Sequence, residues 1–148
     1  DIRPSRGLGD VYKRQSQLSL PEMKIGMIPG SGGSARLAKM IGISRTKNIV
    51  MRGKRLSGEE AFQLGIACEV VEKSELENMT KKIVKELLGV SPLAQRTIKS
   101  VLNATQNATL HTSIDLEGEA YGRLRSSNDF KEGVKSFSEK RPPSYKGN

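Results

Sequence analysis

The chain has 148 residues and a formal net charge of +9, a length that suits one domain or part of one. No apolar run approaches the length of a membrane-spanning helix, and a single cysteine, Cys68, excludes an internal disulfide. A single histidine, His111, leaves little for a Ser-His-Asp triad or a zinc cluster, so the sequence favours metal-free chemistry on carboxylates.

Residues 1–15 carry basic side chains, glycines and a proline but no periodic apolar pattern. Residues 10–15 back-translate to a sequence similar to a transposase adaptor used in preparing sequencing libraries. We therefore interpret residues 1–15 as an unstructured adaptor and assembly artefact, to be left out of the fold. A basic arm and a targeting peptide are the alternative interpretations.

A glycine-rich turn follows a carboxylate in the next segment. Glu22 precedes Gly30 by eight residues, and Gly30, Gly32 and Gly33 lead into a predicted helix. Glycines at a helix N-terminus leave backbone N–H groups uncovered, which favours anions or polarised oxygen, and Glu22 could act there as an acid or base. The spacing fits neither a dinucleotide-binding fingerprint nor a P-loop. The alternative is a tight loop with Glu22 as a solvated surface residue.

Later segments carry clear helix start signals. Ser57 with Glu60, and Ser74 with Glu77, have capping-box form. Cys68 lies in an apolar run that predicts a buried strand, so we expect a packed thiol.

The C-terminal part of the sequence predicts three further helices. Ser91 and Pro92 are typical of a helix start, the next helix covers residues 113–124, and Phe130, Val134 and Phe137 form one row on a last helix. These helices expose more apolar surface than half a domain can cover, so a partner surface is expected.

Three segments carry a family resemblance. Residues 21–37 match every fixed position of P-E-x-x-x-G-x-x-P-G-x-G-G-[ST]-x-R-L, the signature of the enoyl-CoA hydratase/isomerase, or crotonase, family. Residues 53–67 resemble a second family stretch, with Gly58 in place of the usual alanine, and residues 130–146 resemble the family's C-terminal ending. The resemblance runs from Ser16 to the C-terminus.

The resemblance implies an α/β fold, namely the C-terminal half of a crotonase-like spiral of strand-strand-helix units, with this part mostly helical. Residues 16–72 would form the end of the spiral core with its active-site loop. Residues 73–148 would form a helical region that assembles trimers, often paired into hexamers. The other half carries the oxyanion-hole donors and the second catalytic glutamate in this family, so we expect the isolated chain to be inactive.

The resemblance also implies a reaction, the addition of water to a trans-2-enoyl-CoA in fatty-acid or related acyl-CoA metabolism. The CoA thioester is the substrate, and no further cofactor and no metal is expected. Glu22 matches one of two catalytic glutamates, and Gly30 matches the position whose backbone N–H helps hold the water. Phe137 and Lys140 match residues that reach the CoA of a neighbouring subunit; the alternatives are helix-packing core for Phe137 and an ordinary surface charge for Lys140.

Other functions stay open at this point. Isomerases, decarboxylases and synthases of the same family share the thioester-enolate chemistry. Some members of the family bind RNA through a lysine-rich helix, and Lys81, Lys82 and Lys85 share a helical face here, which would suit a basic binding module. The alternative is a solvated face opposite Ile83 and Leu87, and the low aromatic content argues against nucleic acid as a partner. A purely structural fragment would assemble without binding CoA. We expect a cytoplasmic protein that does not interact with membranes.

Overall fold

The computed structural model describes the backbone of residues 11–13 and the whole of residues 16–148. The chain divides into two compact units, Asp1–Lys81 and Lys82–Asn148.

Four short strands pair in the first unit. Strand β1 (Val11–Lys13) lies parallel to β4 (Glu69–Val71), and β2 (Gln17–Ser19) lies antiparallel to β3 (Arg55–Ser57). The prediction that residues 1–15 have no structure is therefore wrong for β1, because its backbone continues the ladder of β4. Residues 1–10 and 14–15 lie outside the described part, so their interpretation as adaptor sequence stays a prediction.

Helices fill the space around the second strand pair. A 3₁₀ turn (Glu22–Ile25) is followed by helices α1 (Gly33–Ile41), α2 (Ile43–Met51) and α3 (Gly58–Gln63). Their apolar side chains form a small core with β2 and β3, made of Ile41, Ile49 and Leu56, against which Leu18, Leu37, Leu64 and Ile66 pack.

The capping box at the start of α3 is confirmed. The Ser57 hydroxyl accepts a hydrogen bond from the Glu60 N–H at 3.1 Å, and the Glu60 carboxylate accepts one from the Ser57 N–H at 2.9 Å. Glu60 also pairs with the Lys54 ammonium at 2.8 Å. The hydrogen bond from Lys54, with that from the Ser57 backbone, lowers the pKa of Glu60.

Two local predictions in this region are wrong. Cys68 is exposed, and it lies outside the strand, which begins one residue later at Glu69. Ser74 does not begin a helix: it lies inside a 3₁₀ turn (Lys73–Glu75) that leads directly into α4 (Leu76–Leu88). The turn places the serine before the helix without an open N-terminus for it to cap.

The second unit begins within α4 and continues with α5 (Pro92–Thr105), α6 (Leu110–Arg125) and α7 (Asn128–Ser138). Ser91 caps α5 as predicted, and its hydroxyl accepts a hydrogen bond from the Ala94 N–H at 3.1 Å. Helix α6 begins before the predicted residue 113, because Thr109 acts as its cap. Helices predominate in this unit, as the sequence predicts.

Candidate active site

Glu22 opens the 3₁₀ turn that follows β2. Its carbonyl oxygen accepts a hydrogen bond from the Met27 N–H at 3.0 Å, and Gly26 closes the turn at a φ of 76°. The Glu22 side chain is half-buried, and its Oε2 atom is buried without a hydrogen-bond partner among the described residues. The interpretation of Glu22 as a solvated surface residue is therefore wrong. A buried carboxylate oxygen without a partner is costly, which is characteristic of sites that hold a water or a ligand.

The glycines next to this carboxylate shape the start of α1. Gly32 is the N-cap residue at a φ of 79°, and a β-carbon there would stand 3.3 Å from the Arg36 guanidinium, which donates to the Ser31 carbonyl at 2.8 Å. A β-carbon on Gly33 would stand 3.0 Å from the Leu20 side chain. Both positions therefore need glycine, the first for its backbone angle and the second for close packing.

Gly30 lies in the same loop under different constraints. It is exposed, and a β-carbon there would meet nothing within 4 Å. Neither its backbone angle nor its packing therefore requires glycine. The open space leaves room for a ligand against the backbone.

Phe137 and Lys140 are brought together where α7 ends. The Lys140 N–H donates to the Phe137 carbonyl at 3.2 Å, and the Arg141 N–H donates to the Ser136 carbonyl at 3.1 Å. This pair of bonds is a Schellman motif, whose left-handed position glycine usually occupies. Lys140 occupies it here with a φ of 52°, alone among the described non-glycine residues in having a positive φ. Phe137 is 87% exposed, so its interpretation as helix-packing core is wrong.

An ion pair follows directly on Lys140. The Arg141 guanidinium contacts both carboxylate oxygens of Glu132 at 2.6 and 3.1 Å, and its Nε atom donates to Glu139 at 2.6 Å. Glu132 also accepts a hydrogen bond from the Ser144 N–H at 2.8 Å. The hydrogen bond from Arg141, followed by that from Ser144, lowers the pKa of Glu132 to about 2.

Asp129, one turn before Glu132, holds the rest of the C-terminal segment. Its buried carboxylate accepts hydrogen bonds from the Ser91 hydroxyl at 2.5 Å and from the N–H groups of Lys146 and Gly147 at 2.9 and 3.0 Å. Its own N–H donates to the Asn148 carbonyl at 3.0 Å. Desolvation acts to raise the pKa of Asp129, but these hydrogen bonds outweigh it and the pKa lies below its usual value.

Sequence reasoning missed this pair of acidic residues as a structural device. The available signal was two carboxylates three residues apart in the first turns of a predicted helix, followed by an irregular segment without helix or strand pattern of its own. Backbone N–H groups of such a segment need acceptors, and the two carboxylates supply them.

An open groove of about 530 Å³ lies beside Phe137 in the second unit. Its walls include Tyr121, Phe130, Val134 and Tyr145, and the Arg125 guanidinium stands 5.8 Å from the centre of the Tyr121 ring. The groove joins apolar faces of α6 and α7 that the described residues leave uncovered. Of the four predicted site residues, Glu22 and Gly30 thus lie in the first unit, while Phe137 and Lys140 lie in the second and are joined by a backbone hydrogen bond.

The lysines considered for nucleic-acid binding are exposed on α4. Lys81 pairs with Glu77 at 2.5 Å, while Lys82 and Lys85 extend from the same part of the helix. Within residues 11–13 and 16–148, none of the helices is long and apolar enough to cross a bilayer.

Comparison with known proteins gives a consistent result. Residues 10–148 match the model of the family described as enoyl-CoA hydratase/isomerase, a match that includes β1. The short-chain-enoyl-CoA hydratase of Clostridium acetobutylicum is 32% identical over 88% of this chain and 50% of that protein. The carnitinyl-CoA dehydratase of Salmonella paratyphi A is 34% identical over 93% of this chain and 54% of that protein. The crystal structure of an enoyl-CoA hydratase from Bacillus anthracis is similar with a TM-score of 0.90 at 33% identity, over 93% of this chain and 54% of that one. The chain therefore spans about half the length of the relatives it matches.

Proposed function

Since the chain belongs to the enoyl-CoA hydratase/isomerase family, we propose that it supplies one of two catalytic glutamates to an enzyme that hydrates a trans-2-enoyl-CoA. The crotonase-like fold and the acyl-CoA chemistry are common to the family. The choice of hydration rests on one observation, the buried Oε2 atom of Glu22 that has no partner among the described residues.

In the proposed reaction, water attacks C3 of the enoyl thioester, negative charge gathers on the thioester oxygen, and a proton is delivered to C2. Glu22 exchanges a proton with the attacking water or with C2, together with a second glutamate outside this chain. The Gly30 N–H helps to hold the water, because the open space at that position lets an oxygen approach the backbone. Backbone N–H groups outside this chain stabilise the enolate oxygen.

Phe137 and Lys140 are proposed to bind the CoA part of the substrate that a neighbouring subunit holds. An exposed aromatic ring offers a stacking surface to a purine, and an exposed ammonium offers a charge to a phosphate. The C-terminal end of a helix disfavours anions, so the ammonium has to supply the attraction. The formal net charge is +9, of which residues 1–15 contribute +2, and the +7 on residues 16–148 adds a field that favours an anionic ligand.

The catalytic proposal is tested by turnover of a short enoyl-CoA in the complete enzyme that contains this chain. Glu22→Gln keeps the size of the side chain but removes its capacity for proton transfer, so we expect turnover to fall by about 10²–10⁴ with substrate binding nearly unchanged. Glu77→Gln is the matched control, because it removes the same charge from an exposed ion pair of little energetic weight. Turnover of Glu22→Gln close to that of the control would refute the assignment. We expect no turnover from the 148-residue chain alone.

The reaction is separated from its alternatives by the product. Hydration gives a 3-hydroxyacyl-CoA, which chromatography distinguishes from the shifted double bond that an isomerase makes. Conversion of the same enoyl-CoA without uptake of water would replace hydratase by isomerase as the proposed activity.

The assembly proposal concerns the uncovered apolar side chains of α6 and α7. Tyr121, Phe130 and Val134 are exposed in this chain, and burial of such a surface in a trimer would remove it from water. Light scattering on the complete enzyme should give the mass of three or six subunits. Val134→Glu should lower that mass, because a charge would be buried without a partner. A monomeric enzyme would contradict the proposal.

A further inference from the structure

We propose that the Glu132–Arg141 ion pair is a positioning device, which holds Lys140 in its left-handed turn and so fixes the point from which the ammonium reaches an anionic ligand. The inference rests on the proposed contact between Lys140 and CoA and adds to it a residue pair that touches no substrate.

Lys140 has an unusual backbone conformation. Its φ of 52° is readily adopted by glycine and disfavoured for a residue with a β-carbon. A strained backbone angle persists only where the surroundings enforce it, and it indicates that the side chain at that position has a use. Glycine would adopt this backbone angle at a lower conformational cost. The presence of lysine therefore indicates that its ammonium group has a function.

Contacts of the next residue, Arg141, hold Lys140 at this backbone angle. Arg141 is attached to α7 twice, through its N–H to the Ser136 carbonyl and through its guanidinium to Glu132. The two attachments turn the chain back along the helix immediately after Lys140. Glu139 contributes a further contact to the same guanidinium at 2.6 Å.

The segment that follows the turn is also hydrogen-bonded to α7. The Ser144 N–H donates to Glu132, and the Lys146 and Gly147 N–H groups donate to Asp129. The chain therefore returns along α7 from its C-terminal end to its N-terminal end, held by two carboxylates. The turn at Lys140 is fixed on both sides, by α7 before it and by this returning segment after it.

Lys140 also differs from its charged neighbours in its contacts. The ion pairs close to this turn join Arg141 with Glu132 and Glu139, and Lys135 with Glu139 at 4.0 Å. Lys140 takes part in none of these pairs, although it lies directly beside Arg141. The arginine thus engages the nearby carboxylates, and the lysine ammonium is left to an external anion.

The test measures the affinity of the complete enzyme that contains this chain for free CoA by isothermal titration calorimetry. Lys140→Ala removes the ammonium, and we expect affinity to fall about threefold, as for one exposed charge pair. Glu132→Gln leaves the ammonium in place but removes its support, and the same fall is expected. The double variant should bind no more weakly than Lys140→Ala, because both changes act through one contact. Glu117→Gln on α6, which removes an exposed carboxylate from the same unit, should bind CoA as the unsubstituted enzyme does.

A second measurement reports the turn itself. The three-bond coupling between the Lys140 amide and α protons depends on φ, and in Glu132→Gln it should move away from the value for the left-handed conformation. Arg141→Lys retains the charge but loses the two-point contact, so it should show the same change in smaller measure. This variant keeps the test informative if Glu132→Gln does not fold.

The two possible failures are distinct. If the complete enzyme carrying Lys140→Ala binds CoA as tightly as the unsubstituted enzyme, or if the unsubstituted enzyme does not bind free CoA, the proposed contact itself is refuted. If Lys140→Ala weakens binding but Glu132→Gln changes neither the affinity nor the coupling, the contact stands and the positioning role is overturned.

Discussion

Replacing Lys140 by glycine should make the protein more stable and a weaker ligand for CoA. The left-handed conformation costs a residue with a β-carbon about 1 kcal/mol more than it costs glycine, and the two hydrogen bonds of the Schellman motif involve only backbone atoms of residues that the substitution leaves in place. Lys140→Gly should therefore raise the free energy of unfolding by about 1 kcal/mol. For a chain of this size, that gain raises Tm by about 3 °C. Loss of the ammonium should weaken CoA binding about threefold.

The assay is thermal unfolding followed by circular dichroism, with CoA titration of the same samples. Lys140→Ala is the matched control, because alanine loses the ammonium but keeps the β-carbon and its strain; it should bind CoA as weakly as Lys140→Gly without its gain in Tm. A Tm for Lys140→Gly at or below that of the unsubstituted chain would refute the reasoning about strain. Full CoA affinity in both variants would refute the assignment of the ammonium.

Contacts elsewhere in the two units can be tested in the same way. The pKa of Glu132 is lowered from 4.5 to about 2, so its stabilising effect is complete above pH 4.5 and is lost as the pH falls toward 2. The protection factor of the Ser144 amide, its exchange rate relative to the intrinsic rate at the same pH, should fall over that window, and a constant protection factor would contradict the role of Glu132 as its acceptor. Ser57→Ala should lower the free energy of unfolding by about 1 kcal/mol in denaturant titration, because it removes one half of the capping box, and a loss below a few tenths would count against it. Leu56→Ala should lower it by about 3 kcal/mol, because Leu56 is only 3% exposed in the core, and a much smaller loss would mean that the site collapses around the cavity.

Local signals in the sequence predicted local structure well. The caps at Ser57 and Ser91 are confirmed because each depends on a hydrogen bond to a residue three positions away. The glycine turn before α1 is confirmed for a similar reason, since the backbone angle of Gly32 and the packing of Gly33 are set by near neighbours. The same kind of signal failed at Ser74, where a competing 3₁₀ turn occupies the residues that a cap would need.

Contacts between distant residues were not predictable from spacing. Asp129 accepts hydrogen bonds from residues 17 and 18 positions later, and the serine that donates to it lies 38 positions earlier. The segment after α7 returns along that helix, but it has no periodic sequence pattern that would predict this path. Its contacts are made by backbone N–H groups, which every residue except proline has. The exposure of Phe137 was likewise not predictable from the sequence. An apolar row on a helix predicts burial, but it does not show which other surface covers the row.

The two pairs of candidate site residues differ in how far this chain supports them. The turn at Lys140 is held by hydrogen bonds and ion pairs from its own unit, so the proposed CoA contact is preformed. The Oε2 atom of Glu22 is buried and has no partner among the described residues, so its desolvation is uncompensated there. The O–H of a water at that atom would supply the missing hydrogen bond. The requirement of the Glu22 carboxylate for an external hydrogen-bond donor is therefore the same feature that the proposed hydration uses, and it explains why the carboxylate rather than the glycine turn carries the functional proposal.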